Sequence, residues 1–454
     1  MKKILTIILI FCVFITIGCK RESVVDPPEV QVLQVSGDQS GTWSGEVHLI
    51  GDVVVPEGET LNISAGTKVI SDGYFEIHVL GNLSAIGMAN SRITFTVADT
   101  TGYSNSYEAS AGAWKGFYFH KPGNVVLRYC DFSYGKSDIN IDGGVMRISR
   151  AEGMEITSCR FHHNTTRHKG GALFAENSVL TINDCEVYKN SAVANPPDYT
   201  WGVGFQFLKC DIDMHYMVFH DNYSETAYGG GMNIDSCNMT MDKAAFYNNK
   251  VVNAGGFGIQ RCKDYTVKVA NVLAYNNWVM HYGGALAVAT SDPELNNLTI
   301  VGNYCGGGGG AGMQMAFNAC PALNNCIFWG NRAISSVDGK ATTDTIDYYM
   351  GSQIWLWGDD CYPKFNNGVV QYGLDSIHAH EHILPENYNE MLDTDPMFVD
   401  MQHRNYRLQS SSPCINTGVA NITGLFIPIT DFAENPRIFG GRIDMGCYEW
   451  QGNK

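Results

Sequence analysis

Short apolar runs recur at a nearly fixed interval along residues 132–331, and each run ends in the same arrangement of apolar and polar positions. An apolar residue is followed by two variable positions and then by Asn, and successive Asn positions lie 26, 32, 27, 28, 26 and 28 residues apart. These positions are Asn164, Asn190, Asn222, Asn249, Asn277, Asn303 and Asn331. In an earlier copy Gly135 takes the place of Asn. The repeated interval indicates one supersecondary unit stacked on itself.

The alternating segments inside each interval are too short for helices. Helical repeats need long runs with a period of about 3.6 residues, and we find none over residues 36–452. Segments such as Val179–Ile182, Thr266–Val269 and Leu298–Ile300 instead alternate over a few residues and are bounded by Gly, Asn or Asp, as strands are. Three such strands and their turns use about 25 to 30 residues. The pattern therefore predicts an all-β, single-stranded parallel β-helix with coils about 4.8 Å apart.

Alternation along the strands assigns side chains to the inside or the outside of the coils. The residues three and five before each Asn are apolar throughout, so we expect both rows to point inward. They are Phe161, Val187, Phe219, Phe246, Ala274, Ile300 and Phe328, and Cys159, Cys185, Met217, Ala244, Val272, Leu298 and Cys326. We expect the Asn residues to occupy left-handed turns and to stack their amides along the axis. Gly pairs such as Gly170-Gly171 and Gly283-Gly284 predict a second tight corner.

The residues two before each Asn form an outward row that is mostly aromatic. It consists of His162, Tyr188, His220, Tyr247, Tyr275, Val301 and Trp329. Neighbouring rings lie about one strand spacing apart, so the row can serve as a ladder that stabilises the sheet, or as a platform for flat sugar rings. Loop residues near the Gly corners, namely Trp201, Tyr228, Trp278 and Tyr282, extend such a surface. The candidate binding residues are therefore Tyr188, Tyr247, Tyr275 and Trp329 together with these four.

The N-terminus has the composition of an export signal. Basic residues at positions 2 and 3 precede an apolar run too short to span a bilayer as a helix, and Thr16-Ile17-Gly18-Cys19 closes it. This ending resembles the lipobox of bacterial lipoproteins, which implies a signal peptide over residues 1–19 and lipidation of Cys19. The same resemblance implies that residues 20–35 form a tether and that the protein is an outer-membrane lipoprotein exposed at the cell surface. An ordinary secretory signal is the alternative.

Further segments resemble known β-helix proteins. Val53–Ile63 and Ile77–Gly87 are similar to the opening coils of bacterial right-handed β-helix surface proteins, which implies capping coils over residues 36–100. Asp395–Asp400 and Arg437–Glu449 closely resemble the choice-of-anchor Q type, and the Gly-Gly-Ala and Phe-x-x-Asn markers are similar to polymorphic outer-membrane protein repeats. The resemblance implies right-handed coils over residues 101–332, last coils with long loops over residues 333–394, and a loop-rich C-terminal cap over residues 395–454.

Two sets of cysteines recur at equivalent positions of consecutive repeats, namely Cys130, Cys159 and Cys185, and Cys210, Cys237 and Cys262. Stacked neighbours fall within the Cα range of a disulfide, and the cell envelope is oxidising. Side chains stacked in register nevertheless point parallel to one another. We therefore expect buried thiols that act as small apolar residues, with disulfides as the alternative.

Candidate catalytic and metal-binding residues are scattered. The Gly-His-Gly and Arg-Ile-Lys segments of pectin-hydrolysing β-helix enzymes are absent from the sequence. Carboxylates at Asp211, Asp213, Asp221 and Asp235 can bind Ca²⁺ if they gather on one face, whereas a solvated face is the alternative. On a strand, His378, His380 and His382 share one face and can bind Zn²⁺, although they fall in a predicted loop. Trp355 and Trp357 with Asp359-Asp360 form another possible patch.

The net charge of −16 argues against a nucleic-acid partner and makes a strongly anionic substrate less natural. Two functions fit the pattern, and a purely structural spacer is a third possibility. The first is a monomeric surface lipoprotein that binds glycan or another envelope or extracellular component without catalysis. The second is a carbohydrate-active enzyme, a pectate-lyase-like polysaccharide lyase before a glycoside hydrolase. The aromatic residues favour the first, whereas the second needs convergent carboxylates or a metal site.

Overall fold

The structure is a computed structural model that describes residues 32–193, 199–333, 336–337, 340–341, 352–358, 360–379 and 383–452. Its strands pair in parallel with the equivalent strands one coil earlier and one coil later. Each coil contributes three strands, as the sequence predicts. We call the three resulting sheets face 1, face 2 and face 3 in chain order, and the short sheet between faces 2 and 3 the bridging sheet. The fold is a right-handed parallel β-helix.

The strands of face 1 are Gly41–Trp43, Thr60–Ile63, Asn82–Ile86, Val125–Arg128, Glu152–Thr157, Val179–Asn183, Glu294–Asn296, Ala322–Asn324, Lys364–Asn366 and Tyr388–Asn389. Those of face 2 are Lys68–Ser71, Ile93–Val97, Cys130–Ser133, Arg160–His162, Glu186–Tyr188, Thr299–Val301, Ile327–Trp329 and Val369–Val370. Three strands run through both faces, namely Asp211–His220, Asn238–Tyr247 and Val267–Tyr275.

The strands of face 3 are Glu76–Val79, Gly116–His120, Met146–Ser149, Leu173–Glu176, Phe205–Leu208, Met232–Asp235, Phe257–Gln260, Leu286–Ala289, Met313–Ala316, Ile354–Trp357 and Ile377–His378. Val32–Asp38 and Glu46–Val55 run from face 2 into face 3 at the start of the stack. The bridging strands are Thr165–Thr166, Ser191–Ala192, Thr200–Trp201, Ala227–Tyr228, Lys250–Asn253, Trp278–Tyr282, Tyr304–Cys305 and Arg332–Ala333.

The remaining elements lie outside the coils or between their last strands. Ser336–Val337 pairs antiparallel with Lys340–Ala341, and Phe398–Asp400 pairs antiparallel with Asn405–Leu408. Among the described residues, single-turn 3₁₀ helices span Gly373–Ser376 and Pro385–Asn387. No helix within the described ranges has the length and hydropathy of a membrane span. The predicted signal peptide, Cys19 and most of the tether lie outside the described residues.

Both predicted inward rows are confirmed, because every member is fully buried or nearly so. Rings of the first row stack along the axis, with centroids of Phe132 and Phe161 5.0 Å apart and those of Phe219 and Phe246 5.0 Å apart. The cysteines of both columns are buried free thiols, as expected. In the second column the backbone N–H of Cys210 donates to Sγ of Cys237, 3.3 Å away, and that of Cys237 donates to Sγ of Cys262, 3.4 Å away. The core is a continuous apolar column.

The Asn column is confirmed, but the conformation predicted for it is wrong. Each of these side chains is fully buried, or nearly so, and hydrogen-bonds to its neighbour, for example Asn222 Nδ2 to Asn249 Oδ1 at 2.9 Å. The left-handed residue is the one before Asn, such as Asp221 with φ 53° and Asn248 with φ 55°. An inward amide needs the chain to turn just ahead of it, so the preceding residue makes the turn. Gly135 likewise has no positive φ, and its missing Cβ lets Val145 approach.

The predicted C-terminal cap lies along the side of face 2 instead of across the end of the stack. Phe398, Tyr406 and Leu408 pack with Cys414, Met445 and Cys447 on the outer side chains of late coils. Those outer side chains include Leu273, Tyr275, Val301, Ile327 and Val369. The segment continues toward earlier coils, where Lys243 Nζ donates to Thr430 Oγ1 at 2.7 Å. We call residues 395–452 the C-terminal strap.

Candidate functional site

A groove with a cavity volume of about 440 Å³ lies where the outer faces of the bridging sheet and face 3 meet. Five aromatic side chains line it, namely Trp201, Tyr228, Tyr282, Phe317 and Trp357. Polar side chains on its floor and rim are Asn233, Asn253, Gln260, Arg261 and Gln314. A cavity of this size with mostly apolar walls and a few polar groups is typical of a small-molecule site.

The groove is hollow because small residues follow one another on the outer side of face 3. In register along the axis, Asn233 is followed by Gly258, Ala287 and Gln314. The parallel column two positions on contains Gln260, Ala289 and Ala316. We call Gly258, Ala287, Ala289 and Ala316 the small-residue floor. Adjacent coils are about 4.8 Å apart, so Asn233 and Gln314 are separated by about 14 Å along the axis.

Side-chain amides form a hydrogen-bonded row at one end of this floor. Asn233 Nδ2 donates to Gln206 Oε1 at 3.0 Å, and Gln260 Nε2 donates to Asn233 Oδ1 at 2.8 Å. A Cβ at position 258 lies only 2.4 Å from Asn233 Oδ1, so Gly258 is needed for this arrangement. At the other end Gln314 makes no side-chain hydrogen bond within the described part of the chain. Its amide is therefore available to a ligand as donor and acceptor.

One ion pair lies at the rim of the groove. Arg261 Nε donates to Asp235 Oδ1 at 2.9 Å, and its Nη2 contacts the other carboxylate oxygen. Arg261 is 63% exposed, whereas Asp235 is mostly buried. Burial raises the pKa of the hydroxyls of Tyr228 and Tyr282, so both are neutral phenols at ordinary pH. The groove consequently presents aromatic and amide surface with a compensated charge.

The aromatic walls come from sequence-distant elements. Rings of Trp201 and Tyr228 lie 4.5 Å apart on consecutive coils and form one wall. On the other wall the rings of Tyr282 and Trp357 meet edge to face at 5.2 Å. Phe317 is 62% exposed and has φ 52°, a conformation that is strained for a bulky side chain. The same left-handed conformation recurs at other corners, for example at Tyr129 and Tyr216, so it positions the Phe317 ring at a corner of its coil.

The predicted outward row exists as a ring ladder, but its later members are covered. Rings of His162, Tyr188, His220, Tyr247 and Tyr275 stack in order, 4.8 to 5.1 Å apart. Tyr275 is only 9% exposed because the strap packs on it, with the Tyr406 ring 5.3 Å away. The row is therefore interrupted as an open platform at Tyr275 and Val301, which are buried, while Tyr188, Tyr247 and Trp329 stay partly exposed.

The eight predicted binding residues separate into three places. Trp201, Tyr228 and Tyr282 meet in the groove, whereas Tyr188, Tyr247 and Tyr275 belong to the face 2 ladder. Trp278 and Trp329 line a second, shallower hollow with Tyr304, whose ring lies 6.3 Å from that of Trp278. Lys250 Nζ lies over the Trp278 ring, 4.9 Å from its centroid.

The carboxylates considered for Ca²⁺ do not gather into one cluster. Each has its own partner: Asp211 accepts a hydrogen bond from Asn238, Asp213 pairs with His215, Asp221 with His220 and Asp235 with Arg261. Over the described ranges no three His, Cys, Asp or Glu side chains are placed to hold a metal ion. The His378 ring stacks on Trp355 at 3.7 Å, while His380, His382 and Asp359 lie outside the described residues.

Several groove residues escaped the sequence analysis. Phe317, Gln260 and Gln314 belong to no repeated marker, and Trp357 was grouped with a different patch. Gly258 has no side chain and Ala287 has only a methyl group, and their small size makes the groove hollow. Small residues of this kind form no recognisable sequence pattern. The detectable signal was the register, because counting from each Gly corner aligns Asn233, Gly258, Ala287 and Gln314 on one outer column.

Comparison with known proteins agrees with the β-helix fold. The right-handed beta helix region family matches residues 52–208 and 84–272. The fold is therefore that of a right-handed β-helix, and residues 52–272 are similar to this family. Among curated proteins it is similar to metabotropic glutamate receptor-like protein R of Dictyostelium discoideum, with 24% identity over 264 residues. That match covers 56% of the chain and 14% of the relative, so the chain spans well under two thirds of the relative's length.

Proposed function

We propose that this β-helix protein binds carbohydrate in the groove between the bridging sheet and face 3. The observation that carries the proposal is the combination, in one cavity, of five aromatic side chains with side-chain amides, among which Gln314 makes no hydrogen bond within the described residues. Aromatic faces cover the apolar faces of sugar rings, and side-chain amides donate to and accept from their hydroxyls. A cavity of about 440 Å³ lies within the range of small-molecule sites.

The location of the groove suits an extended ligand. Its aromatic walls lie at different heights along the axis, with the coil of Asn253 between Tyr228 and Tyr282, so a chain of sugars can lie along the axis with one ring against each wall. Trp201 and Tyr228 form one end, and Tyr282 and Trp357 form the other. The groove is open to one side, which allows a polymer to enter without threading an end.

We further propose that the domain is displayed at the cell surface through a lipid on Cys19. The sequence at residues 16–19 supports this proposal, and the net charge of −16 keeps the domain away from an anionic membrane surface. Expression of wild type and Cys19→Ala in a bacterial host tests the anchor. We expect the wild type in the outer-membrane fraction and the variant released from it, and equal partition of the two proteins contradicts the anchor.

Glycan-array binding followed by calorimetry on the strongest glycan tests the groove. We expect the double change Trp201→Ala and Trp357→Ala to weaken binding about 30-fold, because two ring contacts each contribute about 1 kcal/mol. Trp278→Ala is the matched control, since it removes an aromatic side chain outside the groove and should leave affinity unchanged. Retention of wild-type affinity by the double variant, or an array without any bound glycan, overturns the proposal.

A further inference from the structure

We infer that the groove selects neutral glycans that carry acetamido groups, such as chains of N-acetylhexosamine. This inference rests on the proposed function and specifies its ligand class. It starts from the small-residue floor, where Gly258 and Ala287 occupy consecutive coils with amide side chains before and after them. An acetamido group has an apolar methyl and an amide, and the floor offers an apolar hollow bordered by amides.

The hollow itself favours a methyl group over a hydroxyl. Its base consists of glycine backbone and the Cβ atoms of Ala287, Ala289 and Ala316. A hydroxyl placed there loses water and finds no hydrogen-bond partner among these atoms, which is unfavourable. A methyl group gains from the same burial. The hollow therefore discriminates between the two substituents that most often decorate a neutral sugar ring.

The amides beside the hollow match the polar half of an acetamido group. Gln314 has no partner within the described residues, so its oxygen can accept from an acetamido N–H and its nitrogen can donate to an acetamido carbonyl. At the opposite border, Gln260 uses one Nε2 hydrogen on Asn233, and its Oε1 accepts no bond there. Both borders thus provide acceptors for an N–H group.

The electrostatics of the groove favour a neutral chain over an acidic one. Arg261 is the only cationic side chain that lines the cavity in the described structure, and Asp235 compensates its charge. A uronate or sulfate bound here finds no second cation among the lining side chains, because Asp235 already pairs with Arg261. The compensated charge and the apolar hollow therefore both favour neutral glycans that carry acetamido groups.

Calorimetry with four oligosaccharides of equal length tests the inference on the wild-type protein. The probes are oligomers of N-acetylglucosamine, of its deacetylated form glucosamine, of glucose and of galacturonate. We expect the N-acetylglucosamine oligomer to bind at least about tenfold more tightly than each of the other three. Equal affinity for the acetylated and the glucose oligomer overturns this inference and leaves the proposed function standing. A protein that binds none of the four and no glycan on the array contradicts both.

Two variants locate the selectivity. Ala287→Leu fills the hollow and Gln314→Leu removes the amide while keeping a side chain of similar size, and we expect each to abolish the preference for the acetylated oligomer. The exposed Gln34→Leu on the first strand is the matched control and should keep it. Circular dichroism verifies that each variant folds. If Ala287→Leu does not fold, the selectivity of Gln314→Leu alone tests the inference. Selectivity retained in a folded Gln314→Leu variant overturns the role of this amide.

Discussion

From Asn164 to Asn331, one buried amide on each coil holds the Asn corner together. Asn249 Nδ2 donates to Asn277 Oδ1 at 2.9 Å and to the Phe219 carbonyl at 3.1 Å. Its Oδ1 accepts from the backbone N–H and the side chain of Asn222, at 3.1 and 2.9 Å. Every donor and acceptor of this amide therefore has a partner without water, which explains why Asn recurs and no other polar residue does.

Asn249→Ala should destabilise the protein strongly. The substitution leaves the Phe219 carbonyl, the backbone N–H of Asn222 and parts of two neighbouring amides buried without partners, and we expect a loss of about 3 kcal/mol. Urea unfolding compared with wild type measures the change. The control is Asn62→Ala, whose exposed side chain makes one long bond, so its effect should remain within about 0.5 kcal/mol. Similar midpoints for the two variants contradict the ladder as a source of stability.

Phe317 provides a second prediction, because its strain and its proposed contact with ligand have opposite effects. Phe317→Gly removes a Cβ from a left-handed position, and we expect the free energy of unfolding to rise by about 1 kcal/mol. The same substitution removes a wall of the groove and should weaken glycan binding. Phe317→Ala is the control, since it loses the ring but keeps the strain and should gain no stability. A glycine variant that binds as tightly as wild type shows that the ring contributes nothing to the site.

The C-terminal strap is the element that sequence periodicity describes least. It contains a buried polar cluster in which Arg437 Nη2 donates to the carbonyls of Asp444 and Gly446 at 2.9 and 2.7 Å. Glu449 accepts from the backbone N–H groups of Phe439 and Asp444 at 2.8 and 3.0 Å. These bonds hold a nearly strand-free chain in one conformation, and its apolar side chains can then cover face 2.

The strap should loosen as the pH rises. Burial raises the pKa of Glu449 from 4.5 to about 7, so the folded state binds a proton more tightly than the unfolded state. The contribution of this carboxyl to stability is therefore complete below about pH 4.5 and is lost as the pH rises through about 7. Burial also raises the pKa of Asp444, which acts in the same direction.

Urea midpoints and limited proteolysis of the strap at about pH 5 and about pH 8 measure this dependence. We expect wild type to be less stable at the higher pH, and Glu449→Gln to show a smaller difference between the two conditions. Glu57→Gln, at an exposed position far from the strap in sequence, is the control and should keep the wild-type difference. An undiminished difference in Glu449→Gln assigns the effect to other groups.

The whole molecule is a stack in which each coil pairs with its two neighbours. Met154 pairs with Leu180, so residues 154–179 form one complete coil of the 26-residue length that separates Asn164 from Asn190. Removal of residues 154–179 joins Gly153 to Leu180 and restores the register of all three faces. Because repeats interact chiefly with adjacent repeats, we expect this variant to fold and to bind glycan like wild type.

Circular dichroism and calorimetry test the deletion. The control removes residues 154–166, which is part of a coil, and should abolish folding because strands then meet partners in the wrong register. If both deletions unfold, the coils are not exchangeable units. If both fold, the register between faces does not determine the structure.

The sequence predicts the structural features that repeat from coil to coil, but it does not predict the features that occur only once. Rows such as Phe161 to Phe328 could be read because each coil presents the same position to the same core. The groove needed Gly258, Gln314 and Phe317 to be placed on neighbouring coils, and their side chains share no type. The strap could not be placed at all, because contacts such as Lys243 with Thr430 join residues 187 positions apart without any periodic signal.

The lateral course of the strap has a mechanical consequence. It forms hydrogen bonds with successive coils, from Tyr216 and Asn271 to Asn297 and Asn325, so it connects these coils to one another along the axis. The contacts between the strap and these coils must therefore break before the coils can separate from one another. Under tension along the axis, we expect the coils before residue 211 to unfold one at a time at low force. The coils connected by the strap should instead unfold together in one step at higher force.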